Sequence, residues 1–120
     1  MSVEYPIFVL ERDDHSMRLI EDESRILYHL EAIDIENGEY LFWDAKGSGV
    51  SIQMSKGKMT VSGPEPAEFP LIDALVMFAK SKEIPSAGAI ASPIGEWNRI
   101  QFELSRRPRK GILARIFSRS

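Results

Sequence analysis

The sequence contains no cysteine. A disulfide framework, an iron–sulfur cluster, a thiolate zinc site and a cysteine nucleophile are therefore excluded. No uninterrupted apolar stretch approaches the roughly 18 residues that a membrane-spanning helix needs. Residues 1–6 carry acid where a secretory signal has a basic start and an apolar run. Together these features predict a cytoplasmic protein.

Acidic residues are also missing from the last sixteen positions, which gives the chain a strong charge asymmetry. Residues 1–104 contain nine basic and eighteen acidic residues, whereas residues 105–120 contain six basic residues and no acid. An acidic body favours binding to a basic partner, and a basic segment favours binding to an acidic one. We therefore expect one domain over residues 1–104 and a basic C-terminal tail over residues 105–120. The tail cations are Arg106, Arg107, Arg109, Lys110, Arg115 and Arg119.

The first half of the chain alternates between strand and helix patterns. Residues 5–11 and 17–20 read as a hairpin, and apolar residues on both faces of the first strand predict that it is covered on both sides. Ile26, Leu27, Leu30 and Ile33 follow helical spacing and form one apolar, core-facing stripe, which predicts a helix over residues 23–33 with Asp22 as its cap. Residues 39–62 alternate between apolar and polar around two glycine-containing turns, which predicts three consecutive antiparallel strands.

The second half predicts a helix over residues 68–82 and a loop over residues 85–95. Residues 97–104 fit both periods, and the alternation of Ile100, Phe102 and Leu104 favours a strand. The fold expected from these elements is α+β, with a largely antiparallel sheet of four to six strands and two helices on one face. The other face would then need a cover from the tail, the loop or a second subunit, so a homodimer is one expectation.

No arrangement of residues typical of catalysis occurs. His15 lies in an acidic turn, and His29 lies at the margin of the apolar stripe of the predicted helix. Neither has neighbouring residues in a pattern typical of acid–base catalysis or metal binding. The Gly47–Gly49 turn lacks the further glycines, lysine and helix of a phosphate-binding loop. Aromatic residues 40–43 have acidic flanks, which disfavours nucleic acid. We expect no catalytic residue, no metal and no cofactor.

An acidic run surrounds the start of the strand at residue 40. It consists of Asp34, Glu36, Glu39 and Asp44, which we interpret as candidate contacts to a basic protein partner. The tail offers a second possibility, because apolar residues at helical spacing between its arginines could bind a membrane or a partner groove. Nucleic acid or membrane contact would come only through this tail.

The segment LEAIDIENGEY at residues 30–40, continuing as WDAKG at residues 43–47, resembles small uncharacterised bacterial proteins, some of them similar to immunity proteins of toxin systems. The resemblance covers residues 5–52 and contains no catalytic motif. It implies a bacterial, non-enzymatic binding protein. We therefore predict a non-catalytic protein-binding domain that recognises a basic partner. The alternatives are a small-molecule-binding domain or enzyme with a pocket between the second helix and the sheet, and an adaptor acting through the tail.

Overall fold

A five-stranded antiparallel sheet with the strand order β2-β1-β3-β4-β5 forms the centre of the computed structural model. The strands are β1 (Ile7–Glu11), β2 (Met17–Ile20), β3 (Tyr40–Trp43), β4 (Gly49–Ser55) and β5 (Lys58–Glu65). The structure describes residues 3–85 and 92–107. The α+β class and the sheet size predicted from the sequence are confirmed.

The two strands richest in apolar residues lie inside the sheet. β1 pairs with β2 on one side and with β3 on the other, so that Val9 lies opposite both Arg18 and Phe42. Such strands are buried on both faces, as the apolar residues on both faces of the first strand predicted. The predicted three-stranded meander is also confirmed, because β3, β4 and β5 pair in chain order.

Two helices cover one face of the sheet, which is the number predicted, although only the helix over residues 68–82 was one of the two expected there. They are α3 (Leu71–Ser81) and α4 (Pro93–Arg106). The indole nitrogen of Trp43 donates a hydrogen bond to the carbonyl oxygen of Phe69 at 3.0 Å, which ties β3 to the segment before α3. We call the cluster between these helices and the sheet the first core. Its fully buried large side chains are Phe8, Leu10, Trp43, Leu75 and Ile100.

The strand predicted for residues 97–104 is wrong, because this segment lies within α4. The hydroxyl oxygen of Ser92 caps the helix by accepting from the amide of Gly95 at 3.0 Å, and Pro93 occupies the first turn. Both are strong start signals for a helix. Ile100 is buried while Phe102 is exposed, which a helix allows and a buried strand face does not.

The helix predicted over residues 23–33 is divided into three short pieces. A 3-10 turn (Glu23–Arg25) leads into α1 (Ile26–His29), and α2 (Ala32–Glu36) follows after a break. Leu30 and Glu31 are extended at this break.

These pieces lie on the second face of the sheet, opposite α3 and α4. The break lets Ile26, Leu30 and Ile35 all reach the sheet, whereas Ile33, predicted to be buried, is exposed. A second subunit is therefore not required to cover this face, and a homodimer stays a prediction. The second core contains Ile7, Val9, Ile20, Ile26, Leu30, Ile35, Tyr40, Phe42, Val50 and Ile52.

The folded body extends past the predicted boundary at residue 104. α4 continues to Arg106, whose guanidinium lies 3.6 Å from the carboxylate of Glu103. Arg107 donates to the carbonyl oxygens of Lys82 and, at 2.7 Å, Glu83. Arg106 therefore pairs within α4, and Arg107 contacts the end of α3. Arg109, Lys110, Arg115 and Arg119 lie outside the described residues.

Candidate protein-interaction surface

The 3-10 turn and helices α1 and α2 carry a dense negative charge. Residues 21–39 contain seven acids and one arginine, and none of these acids is buried. We call the exposed side chains of this segment the helical surface. Such a surface attracts a positively charged partner over a distance of about one Debye length, roughly 8 Å at physiological salt. Its acids are Glu21, Asp22, Glu23, Glu31, Asp34, Glu36 and Glu39.

Large apolar side chains are exposed among these acids. Leu27, Tyr28 and Ile33 are three of the six large hydrophobic residues exposed in the described part of the chain. Tyr28 is the most exposed of them, at 75%. Exposed aromatic and aliphatic side chains are typical of protein interfaces, in which tyrosine is an enriched anchor residue.

Two neighbouring side chains contact the ring of Tyr28 and favour one orientation of it. The guanidinium carbon of Arg25 lies 5.2 Å from the ring centroid, and the ring of His29 approaches it edge-on with centroids 5.2 Å apart. Nε2 of His29 in turn lies 3.5 Å from the carboxylate of Glu21. A side chain that is already oriented loses less conformational entropy on binding. Tyr28 is therefore suited to act as an anchor.

Asp22 fixes the start of this segment. Its carboxylate accepts hydrogen bonds from the amide of Ser24 at 2.9 Å and from the hydroxyl of the same residue. These bonds lower the pKa of Asp22. An aspartate cap of this kind satisfies an amide that would otherwise have no partner at the first turn.

We expect the substitution Asp22→Ala to lower the melting temperature at neutral pH by removing this cap. Because the pKa of Asp22 is lowered in the folded state, its contribution is present above the unfolded pKa of about 4 and is lost as the pH falls further. The difference in melting temperature between wild type and variant should therefore shrink on acidification. Asp22→Asn keeps an oxygen acceptor and is the control. Equal losses for both variants at every pH would contradict the assignment.

A groove runs between the 3-10 turn and the β4–β5 hairpin. It has a volume of about 460 Å³ and is lined by Glu23, Ser24, Leu27 and Met59. The groove therefore combines apolar side chains with a carboxylate at its margin and adjoins the helical surface.

The structure brings together three of the four acidic residues predicted to bind a partner. Asp34 and Glu36 belong to α2, and Glu39 precedes β3. The carboxylate of Asp34 lies 3.4 Å from the hydroxyl oxygen of Tyr40. Burial, followed by the nearby charge of Asp34, raises the pKa of Tyr40. These residues form the end of the helical surface that is nearest to β3.

The fourth residue, Asp44, lies at the opposite end of β3. It is only 3% exposed, and its carboxylate accepts hydrogen bonds from the amides of Lys46 and Ser48, each at 3.0 Å. This arrangement stabilises the β3–β4 turn, as aspartate commonly does. Asp44 is therefore a turn residue and is not part of the helical surface.

The two histidines lie on different elements. His15 has a positive φ of 60° in the β1–β2 turn, where its amide donates to the carbonyl oxygen of Glu11 at 3.0 Å. His29 ends α1 on the second face of the sheet. Within residues 3–85 and 92–107, no group of three or more metal-ligating side chains is positioned to hold a metal ion.

A small cavity lies where the small-molecule alternative placed its pocket, between α3 and the sheet. Its volume is about 120 Å³, and a further cleft of about 230 Å³ lies between β3, β4 and residues 65–68. Pockets for small ligands usually measure about 300–1,000 Å³. The residues lining the smaller cavity are Leu10, Arg12, His15, Leu41, Phe69 and Met77.

Comparison with known proteins adds no relative. No family model, curated protein or solved structure matches the chain. The resemblance to immunity-like proteins therefore stays a prediction. Among the described residues, no helix is both long and apolar enough to cross a bilayer.

Sequence reasoning missed the apolar part of the helical surface. It placed Leu27 and Ile33 in one buried stripe and did not single out Tyr28. A signal was available, because residues 26, 27, 28, 30, 33 and 35 are all apolar or aromatic. These positions extend around more than one face of a helix, so some of them had to point away from the sheet.

Proposed function

We propose that this domain is a non-catalytic binding protein that recognises a basic protein partner through the helical surface, in the manner of an immunity protein. The observation that carries the proposal is the coincidence of exposed Leu27, Tyr28 and Ile33 with seven acids on one short segment. Acidic side chains without exposed apolar neighbours are common on solvated surfaces. Acid around exposed apolar anchors is the composition that suits a positively charged protein.

The two kinds of side chain have different roles in this proposal. The acids accelerate encounter with a positively charged partner and exclude acidic ones. Tyr28 and Leu27 supply the apolar contact that slows dissociation, because truncation of a buried aromatic anchor usually costs most of the affinity at a hot spot. The partner should therefore present lysine or arginine side chains around an apolar or aromatic pocket.

The partner can be identified by photo-crosslinking from the full chain in its native cells. A photoreactive amino acid is placed at Tyr28 in one variant and at Thr60 in the control, since Thr60 is exposed on the opposite face of the β4–β5 hairpin. We expect the variant at position 28 to capture one protein of basic isoelectric point that the control does not capture. Capture from position 60 alone, or capture of an acidic protein, would contradict the proposal.

Substitution then tests the anchor. Tyr28→Ala should weaken binding of the captured partner by about 30-fold, which corresponds to about 2 kcal/mol. Thr60→Ala should leave binding unchanged, and calorimetry measures both. Glu31→Lys should mainly slow association, and its effect should diminish at high salt because exposed charges are screened. Unchanged affinity for Tyr28→Ala in a folded protein would remove Tyr28 from the interface.

A further inference from the structure

We propose that two copies of this chain pair through the free edges of their β5 strands and form one continuous sheet. The sheet of a single copy has two edge strands, β2 and β5. β2 has four residues and contacts α1, and its Arg18 donates to the carbonyl oxygen of His29. β5 has eight residues, and within the described part of the chain it pairs with β4 alone. The longer edge is therefore the one open to a further strand, and open edges are templates for pairing with another chain.

The turn between β4 and β5 determines which backbone groups of β5 face outward. This turn consists of residues 56–57, which have φ values of 54° and 77°, and it is flanked by Ser55 and Lys58. The residues flanking such a two-residue turn exchange two hydrogen bonds, and bonded and non-bonded pairs then alternate along the strands. Met59 and Val61 occupy non-bonded positions. Their N–H and C=O groups therefore point away from β4, towards the free edge.

These outward groups match those of a second copy about a two-fold axis at Thr60. With the axis there, Met59 of one copy lies opposite Val61 of the other, and each of these two pairs exchanges two hydrogen bonds. The regular ladder between β4 and β5 covers residues 58–62, and the register shifts beyond it. Thr60 is the midpoint of this regular part. A two-fold interface uses the same patch on both copies, which this strand provides.

The side chains of the edge fit the same register. Met59 and Val61 are half-buried and pack against the second core. Pairing therefore extends the second core across the interface with two apolar cross-strand contacts. On the other face of the sheet, Thr60 lies opposite its own copy and Lys58 lies opposite Ser62. Apolar pairs and threonine pairs both stabilise neighbouring strands.

Charge also favours this edge for contact between two acidic bodies. Residues 45–64 are the longest stretch without acid in residues 1–104, and they contain three lysines. The rest of residues 1–104 contains six basic and eighteen acidic residues. In the proposed register the two copies of Lys58 are four residues apart along the strands, or about 13 Å. This separation exceeds the Debye length of about 8 Å, so their repulsion is largely screened.

Disulfide trapping tests both the dimer and its register, because the chain has no cysteine of its own. Residues directly opposite in a non-bonded pair have Cα atoms about 4.5 Å apart, within the range that a disulfide spans. We expect Thr60→Cys to form a disulfide-linked dimer rapidly on mild oxidation. Lys58→Cys and Ser62→Cys should crosslink slowly alone and rapidly when mixed. Gln53→Cys is the matched control, since Gln53 is exposed beside Thr60 but lies on β4.

Proline substitution tests the outward amide. Light scattering of the unmodified chain should give twice the mass of the 13.6-kDa chain. Val61→Pro should give the mass of one chain and an unchanged far-ultraviolet circular dichroism spectrum, because proline removes only an N–H that faces away from the sheet. Val61→Thr keeps this N–H and should remain a dimer.

Three outcomes would overturn the inference. They are a chain that is monomeric at every concentration, a folded Val61→Pro variant that is still dimeric, and crosslinking of Thr60→Cys no faster than that of Gln53→Cys. A monomer in which the amides of Met59 and Val61 exchange slowly would show that another segment of the same molecule covers the edge. If Val61→Pro does not fold, the disulfide rates decide.

This dimer is independent of the proposed function. No other protein is present in these samples, so their failure leaves the crosslinking result with a basic partner intact. In the crosslinking experiment, a second copy captured from position 60 would support the dimer and is separate from capture of a basic partner from position 28. Absence of a basic partner likewise leaves the pairing of β5 intact.

Discussion

Replacing Gly49 with alanine is expected to destabilise the domain by about 3 kcal/mol or more. A Cβ atom at this position would lie 2.5 Å from the carbonyl oxygen of Glu65 and 3.0 Å from the amide nitrogen of Ala67. Both atoms belong to the backbone, so no change of side-chain rotamer relieves the overlap. The segment that links β5 to α3 would have to move away from β4. Chemical denaturation measures the loss in the free energy of unfolding.

Gly38→Ala is the matched control for this prediction. Gly38 has a φ of +69°, and none of the described atoms lies within 4 Å of the position of its Cβ. Alanine there is strained only by the left-handed backbone, which costs about 1 kcal/mol. If Gly49→Ala costs no more than Gly38→Ala, the close approach of β4 to residues 65–67 is not a constraint on the fold.

Removing Arg99 is expected to cost about 3 kcal/mol, because it leaves a buried carboxylate without its bidentate partner. Nε and Nη2 of Arg99 each donate to the carboxylate of Glu96 at 2.7 Å, and Nη2 also donates to the carbonyl oxygen of Pro85 at 2.9 Å. The hydrogen bonds to Glu96 raise the pKa of Arg99. The side chain of Glu96 is only 3% exposed and that of Arg99 34%. Arg99→Met should therefore destabilise more than Glu96→Gln, which leaves a charge that water can reach.

Arg106→Met tests whether burial is the cause of this cost. Arg106 and Glu103 have the same spacing on the same helix, yet their side chains are largely solvated and 3.6 Å apart. Exposed pairs of this kind contribute about 0.5 kcal/mol or less. Thermal or chemical denaturation should therefore show a much larger loss in the free energy of unfolding for Arg99→Met than for Arg106→Met. Similar losses for Arg99→Met and Arg106→Met would show that helix propensity dominates over the buried pair.

The sheet could be predicted from the sequence because its signals are local. Alternation over residues 50–55 and 58–62, with glycine-containing turns, determines both which strands pair and which face is wet. Two of the three interior strands, β1 and β3, were also recognisable, because they carry apolar residues on both faces. The segment 97–104 was mispredicted because alternation of three apolar residues outweighed the stronger start signal of Ser92 and Pro93 five residues earlier.

The helical surface was less predictable, because its shape depends on a tertiary contact. The guanidinium of Arg18 on β2 donates to the carbonyl oxygen of His29, which lies at the break between α1 and α2. The helical spacing of apolar residues contains no information about such a contact between distant parts of the chain. The break exposes Ile33 and directs Ile35 inward. Charge, by contrast, was readable from composition alone, so Asp34, Glu36 and Glu39 were found without the fold, and only burial revealed that Asp44 differs from them.

The sheet separates the aromatic residues of the chain by type. Both tryptophans, Trp43 and Trp97, belong to the first core, whereas the tyrosines Tyr5 and Tyr40 pack in the second core and Tyr28 lies on the helices that cover it. Intrinsic tryptophan emission is thus an optical reporter of the α3–α4 side alone. A ligand that occupied the groove beside Leu27 would leave this emission nearly unchanged, and a titration followed in that way would miss it. Tyrosine absorbance and the tyrosine bands of the near-ultraviolet circular dichroism spectrum report on the opposite half of the molecule.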